Sequence, residues 1–486
     1  MSVSPIPTTR IHKDHPKAQI IGEVEAMQED LLQFKLLNVW TLVDLPHGKK
    51  VIGTKWVFRN KRDQRGIVVR NKARLVAQGY RQEEGVDYDE VFAPFARIEA
   101  IRLFLAFASF MGFTMYQMDV KSAFLYGTIE EEVYVNQPLG FVDPEFPNRV
   151  YKVEKALYGL HQALRAWYET LTTYLLENGF GRGIIDKTFF IKKIKNDILL
   201  MSSMGELAFF LGLQVEQRKD GIFLNQDKYV HDILKKFGFS SVKTASTPME
   251  THKPLTQDTI GTDVDVHLYR SMIGSLMYLT SSRPDIMFSM CACSRFQVQP
   301  KASHMHAVKR IFRYLKGQPT LGLWYPKDSP MDLIAYSDSD YAGASIDRKS
   351  TTGGCQFLGC RLILWQYKKQ IIVANSTTEA EYIAASNCCG QVLWLQNQLL
   401  DYGYNFMKTK IHVDNESAIC VVKNPVYHSK TKHVEIRHHF IRDSYEKKLI
   451  EMVKIHTDYN VADLLTKAFD VTRFQFLIAS IGMLNL

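Results

Sequence analysis

The chain has 486 residues, a formal net charge of +9 at pH 7 and a pI near 8.9. That length exceeds what one hydrophobic core supports, and 46% hydrophobic with 23% charged residues excludes a disordered or fibrous chain. The excess of positive charge favours a polyanionic partner.

The seven cysteines contain no Cys-x-x-Cys pair. This spacing argues against a zinc ribbon and a disulfide framework, and it favours a reducing compartment. The longest apolar run, residues 101–113, is too short and too polar to span a bilayer and predicts a buried helix.

The N-terminal part predicts an arm followed by a basic hairpin. Residues 1–24 lack periodicity and predict a flexible arm. Residues 55–59 and 67–77, with a turn at 62–66, predict two paired strands. From 49 to 82 there are eleven Lys or Arg and a single acid. This bias indicates contact with phosphates, although the same cations on an edge hairpin would also prevent aggregation.

The middle of the chain predicts a strand that ends in a carboxylate, and then a short hairpin. Residues 98–111 predict a helix that leads into a strand at Met115–Asp119. Residues 188–192 and 198–200 predict two paired strands, of which the second is short against the usual five or six residues. Nowhere in the chain do two aspartates stand side by side.

From residue 331 strands and helices alternate as in a compact α/β unit, and the acids fall at element ends. Asp338 lies near the end of a predicted strand at 332–338. Ser376-Thr377-Thr378-Glu379 is a capping box that gives Glu379 a structural role. Glu381, two residues further on, points about 200° away around the helix axis and is free for another role. Asp414 follows a short strand, and Asp463 lies in the first turn of a predicted helix.

These four carboxylates are the oxygen ligands that a pair of Mg²⁺ ions about 4 Å apart needs. One ion would activate water, and the other would stabilise the leaving oxygen of a phosphodiester. The alternative is that Asp338, Asp414 and Asp463 cap turns and helices, as aspartates often do.

Five segments, in order, resemble the ribonuclease H domain of copia-type (Ty1/copia) retrotransposon polyproteins. They are 337–343 (SDSDYAG), 348–353 (RKSTTG), 376–382 (STTEAEY), 413–418 (VDNESA) and 462–467 (ADLLTK). The resemblance implies hydrolysis of the RNA strand of an RNA–DNA hybrid by Asp338, Glu381, Asp414 and Asp463 holding two Mg²⁺ ions. Asp340 is the competing first acid and ranks below Asp338.

Upstream segments resemble the fingers and palm of the reverse transcriptase of the same family. They are 54–58 (TKWVF), 72–77 (KARLVA), 92–94 (FAP), 117–125 (QMDVKSAFL) and 155–160 (KALYGL). The resemblance implies that Lys72 and Arg74 meet the triphosphate of an incoming nucleotide and that Asp119 binds a metal ion. It also implies that Phe124 blocks a ribose 2′-OH. Without the resemblance, Phe124 reads as a core aromatic residue.

The chain departs from the family pattern at two places. Leu164 stands where the family has proline, and we expect this change to be tolerated. The Tyr-Val-Asp-Asp hairpin of the family is missing between Leu200 and Met201. Because Asp119 alone is a poor host for two dications, we expect that polymerase activity is lost.

The sequence thus predicts a multidomain chain of α/β and α+β class. The domains are a flexible arm (1–24), incomplete reverse-transcriptase fingers and palm (25–240), a linker and helical connection (241–330), a ribonuclease H-like mixed-sheet domain (331–470) and a C-terminal tail (471–486). The partners implied are an RNA–DNA hybrid, RNA template, DNA and other retrotransposon proteins, without a membrane. The location implied is a cytoplasmic virus-like particle and, in addition, the nucleus.

Two other interpretations stay open. The chain is either a catalytically inactive nucleic-acid-binding remnant, or its gene model has lost coding sequence and the natural product is a complete polymerase.

Overall fold

The computed structural model describes residues 23–62, 67–195, 197–203, 213–251, 255–424 and 434–486. Most of the expected N-terminal arm, the turn at 63–66 and residues 204–212 lie outside these ranges. Within them, no helix is both long and apolar enough to cross a bilayer.

Helices and strands are mixed along the described chain, which confirms the α/β content expected from the sequence. The α-helices are α1 (Glu23–Leu36), α2 (Ile98–Met111), α3 (Ala163–Glu177), α4 (Asp227–Lys236), α5 (Val266–Leu279), α6 (Met287–Ser294), α7 (Ala302–Gly317), α8 (Thr377–Asp401), α9 (Glu416–Lys423), α10 (Phe440–Glu446) and α11 (Val471–Ser480). The strands are β1 (Trp40–Val43), β2 (Thr54–Arg62), β3 (Val68–Ala77), β4 (Thr128–Val135), β5 (Val150–Lys155), β6 (Gly181–Arg182), β7 (Phe189–Ile194), β8 (Asp197–Ser202), β9 (Gln214–Arg218), β10 (Gly221–Asn225), β11 (Leu321–Pro326), β12 (Leu333–Ser339), β13 (Thr351–Leu358), β14 (Arg361–Lys369), β15 (Thr409–Val413), β16 (Ile450–Lys454) and β17 (Met483–Asn485).

The chain forms two compact units. The first contains the described residues of Met1–Phe95, Gln117–Gly183 and Lys187–Gly205. The second contains those of Ala96–Tyr116, Ile184–Asp186 and Glu206–Leu486. The main division therefore falls after residue 205, whereas the domain limits expected from the sequence were 240 and 330.

In the first unit, β2 and β3 form the expected antiparallel hairpin. Trp56 and Leu75 are buried on one face, because alternate residues of a strand point to opposite sides. Arg59, Lys72 and Arg74 are exposed on the other face, with Arg59 directly opposite Lys72. The hairpin thus carries a basic face above an apolar one.

The first unit also contains two three-stranded sheets, with strand orders β1-β5-β4 and β6-β7-β8. The expected three-residue strand at 198–200 is wrong, because β8 has six residues and continues through Leu200 and Met201. Its pairing with β7 keeps one register across that junction. Phe189 and Phe190 of β7 are buried and anchor the pair.

The prediction of a strand at Met115–Asp119 is wrong as well. Residues 113–120 form neither helix nor strand, and Tyr116 and Met118 are 82% and 69% exposed. A strand requires a neighbour for its backbone N–H and C=O groups, and no described strand pairs with this segment. One of the boundaries between the two units falls within this segment, between Tyr116 and Gln117.

The second unit contains a five-stranded sheet of order β14-β13-β12-β15-β16. β13 pairs antiparallel with both β12 and β14, whereas β15 pairs parallel with both β12 and β16. Helix α8 packs on β12 and β13. It does so through buried small residues, Ala384, Ala385 and Cys388, which let the helix lie close to the sheet.

A second sheet in this unit, of order β17-β11-β10-β9, joins distant parts of the chain. Strands β9 and β10 come from the part expected to belong to the polymerase domain. Residues 471–486, expected to be a tail, form α11 and β17, and β17 pairs with β11. The segment expected as a linker and helical connection supplies α5, α6 and α7.

A carboxylate ties α1 to the basic hairpin in the first unit. Asp30 Oδ2 accepts a hydrogen bond of 2.8 Å from Leu75 N on β3. Burial raises the pKa of Asp30 to about 6, although that hydrogen bond and Arg74 act in the opposite direction. Between about pH 4 and 6 the folded chain retains a proton that the unfolded chain loses, so stability falls as pH rises across that window.

We expect Asp30→Asn to raise the free energy of unfolding at pH 7 by roughly 1–3 kcal/mol. Asparagine cannot ionise but still accepts the hydrogen bond from Leu75 N. Urea denaturation at pH 4 and pH 7 measures the effect, which should shrink at pH 4. Glu29→Gln, which breaks only an exposed pair with Arg70, is the control. A lower denaturation midpoint for Asp30→Asn at pH 7 would contradict the expectation.

Candidate functional site

Four acids of the second unit come from four different elements. Asp338 lies near the end of β12, and Asp414 directly follows β15. Because these two strands are parallel neighbours, both carboxylates reach the same edge of the sheet. Glu381 lies in the second turn of α8. Asp463 lies in a short 3₁₀-helix, Val461–Leu465, where the sequence predicted the first turn of a helix.

The carboxylates of Asp338, Asp414 and Asp463 come together. One oxygen atom from each lies within 4.8 Å of the other two. Asp338 and Asp463 are buried, and Asp414 is partly exposed. Carboxylate oxygens at this spacing suit hard divalent cations such as Mg²⁺.

Glu381 is buried next to this group but is not one of its three members. Its Oε1 accepts a hydrogen bond of 3.0 Å from Ser339 N. Its Oε2 is buried, and the described residues offer it no hydrogen-bond partner. Burial raises the pKa of Glu381 well above its usual value, and the charges of Asp338 and Asp414 raise it further. An unpartnered buried carboxylate oxygen is costly unless a proton or a cation compensates it.

The N-terminal cap of α8 uses one glutamate, Glu379, and leaves the other, Glu381, free to reach the acidic cluster. Ser376 Oγ accepts a hydrogen bond of 3.2 Å from Glu379 N, as the capping box predicts. Glu379 Oε2 in turn accepts a hydrogen bond of 2.7 Å from Asn375 N. Glu379 is therefore occupied at the helix terminus, and Glu381 reaches β12.

Asp463 is positioned by contacts that the sequence did not reveal. Asn460 is fully buried, and its Nδ2 donates a hydrogen bond of 3.0 Å to Ser337 O on β12. Its Oδ1 accepts one of 3.2 Å from Ala462 N, which caps the 3₁₀-helix. A Cβ atom at Gly353 of β13 would lie 2.9 Å from Ala462 O, so glycine lets this helix pack against the sheet.

Three further side chains contact the acids. Thr466 Oγ1 donates a hydrogen bond to Asp338 Oδ2, and Thr457 Oγ1 donates one of 3.1 Å to Asp414 Oδ2. Lys467 Nζ lies 3.3 Å from Asp338 Oδ1 and 3.2 Å from Asp463 Oδ1. No role of these three residues was predicted from the sequence. The spacing of four between Asp463 and Lys467 was the one available signal.

The local charges act on each acid in a definite direction. Burial and the neighbouring carboxylate of Asp338 raise the pKa of Asp463 to about 8, against the effect of Lys467. Burial and Asp338 also raise the pKa of Asp414, against its hydrogen bond from Thr457. Without a bound cation the site therefore favours protonated carboxyl groups.

Asp340, the competing first acid, lies outside the group of three. Its Oδ1 accepts a hydrogen bond from Thr351 N, at the start of β13. Burial raises the pKa of Asp340 to about 6, although that hydrogen bond and Arg295 act in the opposite direction. The structure thus brings Asp338, rather than Asp340, to the other acids.

The candidate residues of the first unit do not form a comparable cluster. Asp119 is exposed, and it belongs to no potential metal-binding group among the described residues. The Arg74 guanidinium lies 3.9 Å from the centre of the Tyr158 ring, which packs against Phe124 at 5.0 Å between ring centres. Phe124 is 7% exposed and belongs to the apolar core of this unit. Lys72 is exposed on the basic face.

Residues 37–202 match the family described as reverse transcriptase (RNA-dependent DNA polymerase). The chain is 36% identical over 478 residues to a retrovirus-related Pol polyprotein from transposon RE1 of Arabidopsis thaliana, covering 92% of this chain and 33% of that protein. A corresponding polyprotein from transposon TNT 1-94 of Nicotiana tabacum is 34% identical over 509 residues, which cover 96% of this chain and 38% of that protein.

A shorter relative is matched almost completely. The putative transposon Ty5-1 protein of Saccharomyces cerevisiae is 31% identical over an aligned length of 303, and the alignment covers 55% of this chain and 98% of that protein. By contrast, the chain spans about a third of the length of the two plant polyproteins. The aligned length of 509 with the tobacco polyprotein also exceeds the 486 residues of this chain, so that relative has positions without a counterpart here.

We expect Asp463→Asn to stabilise the metal-free protein at alkaline pH. Because the pKa of Asp463 is about 8, the folded state holds a proton that the unfolded chain loses above about pH 4. Stability therefore falls as pH rises from about 4 to 8, and the asparagine variant escapes this loss. Melting curves in a chelator should show the variant melting higher than wild type by roughly 5 °C at pH 9 and equally at pH 4.

The matched control is Asp458→Asn, which removes an exposed carboxylate from the preceding 3₁₀-helix. It should leave the melting temperature unchanged. A lower melting temperature for Asp463→Asn at pH 9 would refute the electrostatic description of the cluster.

Proposed function

Because the chain belongs to the family of retrovirus-related Pol polyproteins of copia-type transposons, we propose that its second unit is a ribonuclease H-type nuclease. It hydrolyses the RNA strand of RNA–DNA hybrids with two Mg²⁺ ions. The observation that carries this proposal is the convergence of oxygen atoms of Asp338, Asp414 and Asp463 within 4.8 Å, with Glu381 beside them, whose buried Oε2 has no hydrogen-bond partner among the described residues.

The sheet order supports the same assignment. The antiparallel strands β12, β13 and β14, followed by the parallel strands β15 and β16, fit the mixed sheet implied by the resemblance. In this arrangement the acids stand where adjacent parallel strands end, at one edge of the sheet. A polyanionic substrate is also compatible with the net charge of +9.

Each acid has a defined part in the proposed reaction. Asp338 acts on the other three acids, since its charge raises the pKa of Glu381, Asp414 and Asp463. These four residues would hold the metal ions, which supply an activated water and stabilise the leaving oxygen. Thr466 and Thr457 hold the carboxylates of Asp338 and Asp414 in place. Asn460 and Gly353 fix the position of Asp463.

Polymerase activity is proposed to be lost. Asp119 is exposed on a segment without regular structure, and strand β8 passes from Leu200 to Met201 without a pair of carboxylates. RNA template and DNA would then contact only the remaining basic face, around Arg59, Lys72 and Arg74.

That basic face favours a second candidate function, a nucleic-acid-binding remnant without catalysis. Its cations lie on one side of the β2–β3 hairpin, and Arg59 and Lys72 stand opposite each other. Cation pairs on a ribbon suit contact with successive phosphates. In this case the chain binds hybrids but does not cut them.

We expect the protein to cleave an RNA–DNA hybrid in Mg²⁺ and Asp414→Asn to lower the rate at least about a thousandfold. The asparagine variant keeps the shape of the site but loses a metal-binding charge. Gel analysis of a labelled hybrid, followed over time, measures the rate. Binding without cleavage by the wild-type protein would instead support the inactive remnant.

The choice between the two first acids is tested in the same assay. Asp338→Asn should abolish cleavage, whereas Asp340→Asn should retain most of it, because Asp340 binds Thr351 N outside the cluster. The reverse ranking would show that the wrong acid had been assigned.

We expect no template-directed DNA synthesis in either Mg²⁺ or Mn²⁺, because Asp119 lacks carboxylate partners. Primer extension on an RNA template measures it, with a complete relative from the same family as the positive control. Sequencing transcripts across the codons for Leu200 and Met201 distinguishes a genuine deletion from an error in the gene model. Extension by this chain would mean that the polymerase site is intact.

A further inference from the structure

Lys467 contributes a positive charge inside the carboxylate cluster. Its Nζ bridges Asp338 Oδ1 and Asp463 Oδ1 at 3.3 and 3.2 Å. Both aspartates are almost fully buried, whereas Lys467 is partly exposed. Among the described residues, no other Lys or Arg lies within ion-pair distance of the four acids. One cation therefore faces four carboxyl groups.

The contacts of this ammonium divide the cluster into two sides. On one side Lys467 compensates Asp338 and Asp463. On the other side Glu381 Oε2 is buried without a hydrogen-bond partner among the described residues, and Asp414 Oδ2 accepts a hydrogen bond from the neutral hydroxyl of Thr457. A divalent cation could bind the Glu381 and Asp414 side without disturbing Lys467.

We propose that Lys467 is a resident counter-cation that occupies the Asp338 and Asp463 side of the cluster until a divalent cation displaces it. The inference rests on the proposed function, since it requires the cluster to hold divalent cations. The ammonium and a metal ion need the same oxygen lone pairs, and their positive charges repel each other at short range. Both cannot occupy that side together.

Displacement is feasible because of where Lys467 is attached. It is the fourth residue after Asp463 and lies beyond the end of the 3₁₀-helix, with its stem partly in solvent. Four rotatable bonds let the ammonium swing outward without a change in the backbone. The two metal ions should consequently bind in sequence, with the second binding more weakly because it must displace Lys467.

The wild-type protein tests this displacement directly. A short pulse of acetic anhydride, read by mass spectrometry, measures how accessible each lysine amine is with and without Mg²⁺. Acetylation of Lys467 should rise roughly tenfold at saturating Mg²⁺, the change expected on breaking a charge-assisted contact. Lys454, whose ammonium pairs with the exposed Glu416, is the internal control and should not change.

Unchanged or reduced acetylation of Lys467 would overturn the inference. So would calorimetry that detects no Mg²⁺ binding by the wild-type protein. Neither reading depends on catalysis. If the protein cleaves hybrids but acetylation of Lys467 is unchanged, the displacement of Lys467 is rejected and the nuclease function stands. If acetylation rises but no hybrid is cleaved, the nuclease function is rejected and the displacement stands.

Substitutions give a second, independent reading. Lys467→Met should bind its second Mg²⁺ ion about tenfold more tightly by calorimetry, because no ammonium has to leave. Lys467→Arg keeps the charge and should bind like wild type, as should the control Lys454→Met. Weaker binding by Lys467→Met would indicate a purely structural role and contradict displacement. If that variant does not fold, the acetylation result decides alone.

Discussion

The second unit depends on the mutual repulsion of carboxylates that the fold forces together. Parallel pairing of β12 and β15 brings Asp338 and Asp414 to one edge, and packing of α8 adds Glu381. Burial at this point raises the pKa of three of the four acids, so the arrangement costs stability unless a cation or protons compensate it. Aspartates that only cap helices do not have to be buried beside other carboxylates, so they do not carry this cost in stability.

The surrounding contacts are consistent with selection for position rather than for stability. Asn460 fixes the 3₁₀-helix to β12, and Gly353 lets it approach β13. Thr466 and Lys467 then hold Asp338 from the same short segment. What the polar residues provide is a fixed geometry for the carboxylate oxygen atoms.

Much of this cluster follows from local sequence patterns. Strand alternation locates Asp338 and Asp414, and the capping box separates Glu379 from Glu381. The supporting contacts could not be predicted, because Thr466 lies 128 residues from Asp338 and only the folded sheet brings them together. The strand predicted around Asp119 does not form for a related reason, which is that strand pairing depends on distant parts of the chain. Its apolar pattern favours a strand, but pairing depends on a partner that no described segment supplies.

The central claim is that the acids of the second unit form a binding site for divalent cations. Anomalous X-ray diffraction from crystals soaked in Mn²⁺ tests it most directly, since it locates the ions independently of any reaction. We expect manganese peaks within coordination distance of Asp338, Asp414 and Asp463, and their loss in Asp338→Asn. Crystals of folded protein that show no peak at this cluster, under conditions that saturate related sites, would contradict it.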